Sequence, residues 1–112
     1  WGSRVAPIPL AVEPRFKLGV LTVGGLMPVP FRPEIDELNF LQHVRVPVLF
    51  LSGRYDDVFP LETSAQPYFD WLGTPAQHKR HVIYETQHFV PRAEQIKETL
   101  NWLDRYFGAV AR

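Results

Sequence analysis

The stretch Val46-Pro-Val-Leu-Phe-Leu-Ser52, closed by Gly53, constrains the chain more than any other. A run of Val, Leu and Phe without polar alternation has no face to give to water, and such a run belongs to a strand covered on both sides. Pro47 cannot donate to a ladder and is tolerable only among the strand's first residues. Strands of this kind sit in parallel sheets, where each connection is a long crossover that usually contains a helix. The rest of the chain should therefore supply further strands and the helices that cover them.

Lys17–Val23 is a second apolar run of strand length, ended by Gly24-Gly25, and Arg80–Tyr84 is a third, shorter one. Ser3–Val12 has the small and apolar pattern of a short helix, which Pro7 or Pro9 should disturb. Three prolines make a loop of Leu26–Pro33. Glu34–His43 then has the acidic start and apolar spacing (Ile35, Leu38, Leu41) of a connecting helix. Pro60–Leu72 reads as a helix with Phe69 and Leu72 inward, a kink at Pro67 and a left-handed cap at Gly73. Ala93–Phe107 reads as a helix on which Ile96, Leu100, Leu103 and Phe107 form one apolar stripe, with Gly108 as its stop. Helices alternating with strands predict an α/β fold of about three parallel strands with flanking helices. Three such strands leave apolar edges, so the strand Lys17–Val23 should have one unpaired edge, and residues 1–112 read as one end of a larger α/β domain.

Composition removes whole classes of function. A chain of 112 residues holds one domain, and twelve Lys+Arg against twelve Asp+Glu leave no charge surplus to attract nucleic acid. The longest uncharged stretch, Leu18–Phe31, is shorter than the roughly 20 residues of a membrane span and contains Gly and Pro pairs. With no cysteine there is no disulfide, thiolate metal site or Cys nucleophile, which fits a reducing compartment and favours the cytoplasm. Gly24-Gly25 lacks the further glycines and the Lys-Ser/Thr pair of a phosphate loop, so no nucleotide cofactor is implied. His78 and His81 lack helical i,i+4 spacing and a third ligand, so no metal is implied.

Sites in open parallel sheets lie at the carboxyl ends of the strands. The loop after Ser52 reads Gly53-Arg-Tyr-Asp56-Asp57-Val58-Phe59-Pro60, and the loop after Tyr84 reads Glu85-Thr-Gln-His88-Phe-Val-Pro91. An acid on one loop and a histidine on the next can meet, the carboxylate fixing the imidazole tautomer for base catalysis.

These two loops resemble those of the α/β-hydrolase superfamily, whose triad runs nucleophile, acid, histidine along the chain. The resemblance implies that the chain is the C-terminal portion of an α/β-hydrolase fold, with Asp56 as the acid and His88 as the base. No Gly-x-Ser-x-Gly is present: Ser3, Ser52 and Ser64 all lack that context. Trp1-Gly2 before a small-residue helix looks like the end of a Ser-Trp-Gly elbow, which implies that the chain begins just after the nucleophile and that the N–H of Trp1 serves the oxyanion hole. Glu34–Phe40, Leu72–Pro75 and Lys79–His81 resemble an esterase and dienelactone-hydrolase-like branch that also occurs fused to bacterial Ser/Thr protein kinases. The implied function is hydrolysis of a small-molecule ester or related acyl bond, with the upstream part of the same domain as partner and neither nucleic acid nor membrane involved. The alternative is a non-catalytic binding or regulatory module of the same fold, attached to a kinase or another domain.

Overall fold

The computed structural model describes residues 1–111. Its elements run α1 (Gly2–Val5), α2 (Pro7–Val12), β1 (Gly19–Thr22), α3 (Leu38–Leu41), β2 (Val48–Gly53), α4 (Gln66–Trp71), β3 (Lys79–Tyr84) and α5 (Arg92–Phe107), with a π turn over Leu61–Ala65 leading into α4. The three strands form one parallel sheet in the order β1-β2-β3, with Val48 opposite Gly19 and Lys79. All six residues of β2 are buried. Val48 and Phe50 face a core closed by Ala6, Leu10, Leu41, Tyr68 and Leu72. Leu49 and Leu51 face the opposite layer, where Trp102 of α5 packs among Val82, Tyr84 and Tyr106. Thus α1 to α4 cover one face of the sheet and α5 covers the other. Among the described residues no helix is long and apolar enough to cross a membrane.

Several elements differ from expectation, each for a local reason. The first helix breaks at Ala6 between α1 and α2. Pro7 has no N–H for the Ser3 carbonyl, and the Tyr68 hydroxyl donates to that carbonyl instead, at 2.6 Å. The connecting helix shrinks from Glu34–His43 to Leu38–Leu41, because the Asp36 carboxylate accepts the N–H groups of Phe31 and Leu38 and holds the preceding residues as a turn. In the helix after Pro60, Tyr68 rather than Phe69 is fully buried. Gly73 is not a left-handed cap; a Cβ there would fall 2.1 Å from the Gln42 carbonyl oxygen. The left-handed stop occurs at Gly108, with φ 81°. The α5 stripe does not face the sheet. Glu98 and Trp102 take the sheet, whereas Ile96, Leu100 and Phe107 are exposed.

The Gly19 and Val23 amides of β1 point to β2, so those of Val20 and Thr22 point to the open edge. That edge is closed at its carboxyl end by Ser3, whose Oγ accepts the Thr22 N–H at 2.8 Å.

His81 packs against the rings of Phe50 and Phe69, which also touch each other, and its Nε2 shares a 2.8 Å hydrogen bond with Ser52 Oγ. Burial pushes its pKa down from 6.5 to about 4, against a weaker opposing pull from Asp70. The unfolded chain then binds the proton more readily, so the stabilisation is complete above about pH 6.5 and is lost as pH falls towards 4. Urea unfolding between pH 7 and 4 should show this decline, and His81→Phe should flatten it while lowering stability at pH 7 by leaving Ser52 unpartnered.

Candidate active site

Gly53, the last residue of β2, begins the acid loop, and the ladder to the third strand continues beyond both strand ends. The Arg54 N–H donates to the Tyr84 carbonyl at 2.8 Å and the Tyr55 N–H to the Thr86 carbonyl at 2.9 Å. The histidine loop is tightened by Thr86, whose hydroxyl donates to the Phe89 carbonyl at 2.7 Å. Arg54 and Glu85 add an exposed ion pair of 2.7 Å across the two loops. The Glu85 carboxyl is held low by hydrogen bonds from Arg54 and Tyr55, and the Tyr55 phenol is pushed up by the same carboxylate.

Within this frame the two expected residues meet. His88 Nδ1 lies 2.8 Å from Asp56 Oδ2. The other carboxylate oxygen, Oδ1, accepts the N–H groups of Val58 at 2.8 Å and Phe59 at 2.9 Å. The Asp56 side chain is 2% exposed and that of His88 is 41% exposed. An ionised carboxylate can only accept, so Nδ1 carries the proton and the neutral ring keeps its lone pair on Nε2. The pair can therefore act as a base whose tautomer and direction are fixed from behind by a buried carboxylate. Phe59 lies against the ring at 5.9 Å between centroids. Asp57 is exposed and makes no such contact.

Trp1 stands elsewhere on the same edge of the sheet. It precedes α1, and its carbonyl accepts the N–H groups of Arg4 and Val5. Ser3 touches the end of β1 at Thr22 and Gly24, whereas Leu10 lies over Gly19 at its start. The α1–α2 segment thus runs antiparallel to β1, and Trp1 lies at the carboxyl end of the sheet on the β1 side. Among the described residues no hydrogen bond or ring contact joins Trp1 to Asp56 or His88. Sequence reasoning missed its neighbour Arg4, which is buried under the Trp1 and Phe31 rings and donates to Glu37 at 2.8 Å. Only the S-R-V start of a helix marked that position, and nothing in it signals a distant acid. His78 and His81 turn to different partners, Tyr106 and Ser52.

No protein-family model matches the chain, and neither does any curated protein. Solved structures do. A cold-adapted esterase from an Arctic intertidal metagenomic library, solved with zinc bound, is 23% identical with a TM-score of 0.74, over 90% of this chain and 43% of that one. A provisionally named dienelactone hydrolase of Klebsiella pneumoniae is 21% identical with a TM-score of 0.76, over 95% of this chain and 49% of that one. An esterase of Pyrococcus furiosus is 15% identical with a TM-score of 0.72, over 95% and 50%. Likeness at this identity establishes the fold: parallel strands and flanking helices as in the α/β-hydrolase fold. The chain spans about half the length of the structures it matches.

Gly53 sets the approach of the two loops, because a Cβ there would fall 1.9 Å from the Gln87 carbonyl oxygen and 2.6 Å from that of Thr86. Both are backbone atoms and cannot rotate away. Gly53→Ala should cost about 1–3 kcal/mol and displace His88 from Asp56. Chemical denaturation reads the first effect, and loss of the slowly exchanging His88 Nδ1 proton signal in NMR reads the second.

Proposed function

We propose that Asp56 and His88 are the acid and base of a Ser-Asp-His triad that hydrolyses ester or related acyl bonds, and that the nucleophilic serine directly precedes Trp1 in a longer protein. The observation that carries this reading is the 2.8 Å pairing of a buried carboxylate with Nδ1 of a half-exposed imidazole, which leaves Nε2 as the ring's free nitrogen. Sheet topology supports the place of the serine. The crossovers β1-α3-β2 and β2-α4-β3 lie on one face and advance in one direction. The α1–α2 segment lies on that same face, so a strand feeding it by the same right-handed crossover falls on the open edge of β1. Its carboxyl end then meets Trp1 on the edge of the sheet that carries Asp56 and His88.

The chemistry follows from these positions. The serine oxygen attacks the carbonyl carbon of a small-molecule acyl substrate while His88 Nε2 takes its proton. The tetrahedral oxyanion is met by the peptide N–H of Trp1 and a second donor from upstream residues. His88 returns the proton to the departing alcohol, then activates water to release the acyl group, and Asp56 stabilises the imidazolium formed in both halves.

The chain taken by itself is equally compatible with a second reading, a non-catalytic module of this fold attached to a kinase or another domain. All three serine hydroxyls of the chain are engaged away from His88: Ser3 with the Thr22 amide, Ser52 with His81 and Ser64 with the Leu26 carbonyl. The two readings part at the residue before Trp1, a serine for the enzyme and a non-nucleophile for the module.

Tested on short-chain aryl esters, the 112-residue chain alone should add nothing to the rate of free imidazole. Joined to an upstream segment ending in Gly-x-Ser, it should turn over. In that protein His88→Ala should abolish acyl-enzyme formation, and Asp56→Asn should lower kcat by about 10⁴. Full activity in either variant would exclude the triad. Turnover by the chain alone that vanishes in His88→Ala would move the nucleophile inside these residues.

A further inference from the structure

Helix α5 carries two apolar faces and uses one of them. Glu98 and Trp102 are buried on the sheet side, whereas Ile96, Leu100 and Phe107 are 50%, 42% and 62% exposed. At about 100° per residue, Leu100 and Phe107 lie roughly 160° and 140° around the helix from Trp102. Ile96 and Leu103 lie roughly 120° and 100° around, so the second face runs from the flank of the helix to the side opposite the sheet. Ile96, Leu100, Leu103 and Phe107 follow one another at intervals of four, three and four residues, the spacing of a coiled-coil seam. Beside the seam, Arg92, Gln95, Ile96, Thr99 and Leu100 line an open depression of about 440 Å³. The first four stand at i, i+3, i+4 and i+7, the diamond that receives one side chain of a facing helix.

We propose that this face is the contact of a homodimer in which two α5 helices pair antiparallel about a two-fold axis passing between Leu100 and Leu103. In that register Leu100 packs on Leu103 of the second copy, and Phe107 of each copy enters the depression around Ile96 of the other. A second copy is the fitting occupant because the face is complementary to itself. Lys97 and Asp104 each directly follow a seam residue, so they share one flank, and that flank meets its own kind in an antiparallel pair. The two-fold axis sets Lys97 against Asp104 twice along that one flank, once on each side of the axis. The present partner of Lys97 is Glu94, 3.2 Å away in an exposed i,i+3 pair that is readily exchanged. One helix of about 24 Å offers less than the roughly 800 Å² per partner of a stable complex, so the dimer is concentration-dependent.

Sedimentation equilibrium of the 112-residue chain from micromolar to near-millimolar concentration tests this. The unmodified chain should dimerise, and Leu100→Glu should leave it monomeric. Lys97→Glu puts like charges together twice and should weaken the association about tenfold, as should Asp104→Lys, while the double variant should recover to within about threefold. Lys97 is exposed and its reversal leaves the core untouched. Self-association through the open edge of β1 would ignore both reversals. A chain that stays monomeric throughout, an association indifferent to Lys97→Glu, or a double variant that fails to recover would each overturn the proposal.

Discussion

Burial of β2 on both faces and along both edges is the constraint from which the rest of the molecule follows. A strand with no exposed side can end only where the chain leaves the sheet, and it ends at Gly53 because the neighbouring loop passes too close for any side chain. Asp56 follows within three residues, already inside the layer of backbone that joins the ends of β2 and β3. Its carboxylate is thereby surrounded by amides and one imidazole instead of water. A buried acid with both oxygens occupied is a fixed object, and the histidine it holds is fixed with it. The precision of the Asp56–His88 pair thus derives from the buried apolar strand that precedes Asp56.

That strand, its two parallel neighbours and the two loops were legible in the sequence because each rests on a local signal. The signals were uninterrupted apolar runs, glycines at their ends, and an acid and a histidine at matching places beyond them. Helix boundaries were less legible. Glu34–His43 has helical spacing, yet the Asp36 carboxylate captures two amides and keeps all but Leu38–Leu41 in turns. In α5 the apolar residues form a stripe at helical spacing, yet the sheet is met by Glu98 and Trp102. Aromatic bulk at Trp102 and Tyr106, and the aliphatic stem of Glu98, fill the sheet surface better than Ile96 and Leu100 do. Periodicity finds an apolar face without saying what it meets.

Long-range polar contacts had no sequence signature at all, and they do much to join the helices to one another. Arg4 reaches Glu37, Tyr68 reaches the carbonyl that Pro7 leaves free, and the Lys79 ammonium donates to the carbonyls of Phe69, Asp70 and Leu72 at the end of α4. Each satisfies a group that burial or a proline would otherwise strand, at a cost of about 1–3 kcal/mol if left unmade. Such partners are chosen by the three-dimensional arrangement, so they become visible only when the arrangement is known. The Arg4–Glu37 pair is the extreme case, two opposite charges almost wholly removed from water. Its value lies less in net stability than in fixing the start of α1 against the turn before α3.

The same logic connects Trp1 to Asp56 although they do not touch. Val23 holds φ 45°, a left-handed conformation that costs a β-branched residue about 1–3 kcal/mol. What the strain secures is the path of the next two residues. Gly24 passes so close to Ser3 that a Cβ would lie 2.7 Å from the serine Cβ, and a Cβ on Gly25 would lie 2.4 Å from Ser64 Oγ and 3.1 Å from Phe59 Cβ. Phe59 in turn donates its amide to Asp56, which holds His88. An unbroken series of close contacts therefore runs from the first turn of α1, across the carboxyl end of β1, to the acid and the base. Two glycines without side chains let Ser3, Ser64 and Phe59 pack directly onto the backbone between them. The strain at Val23 is accordingly where the frame that would carry a nucleophile is locked to the frame that carries the base.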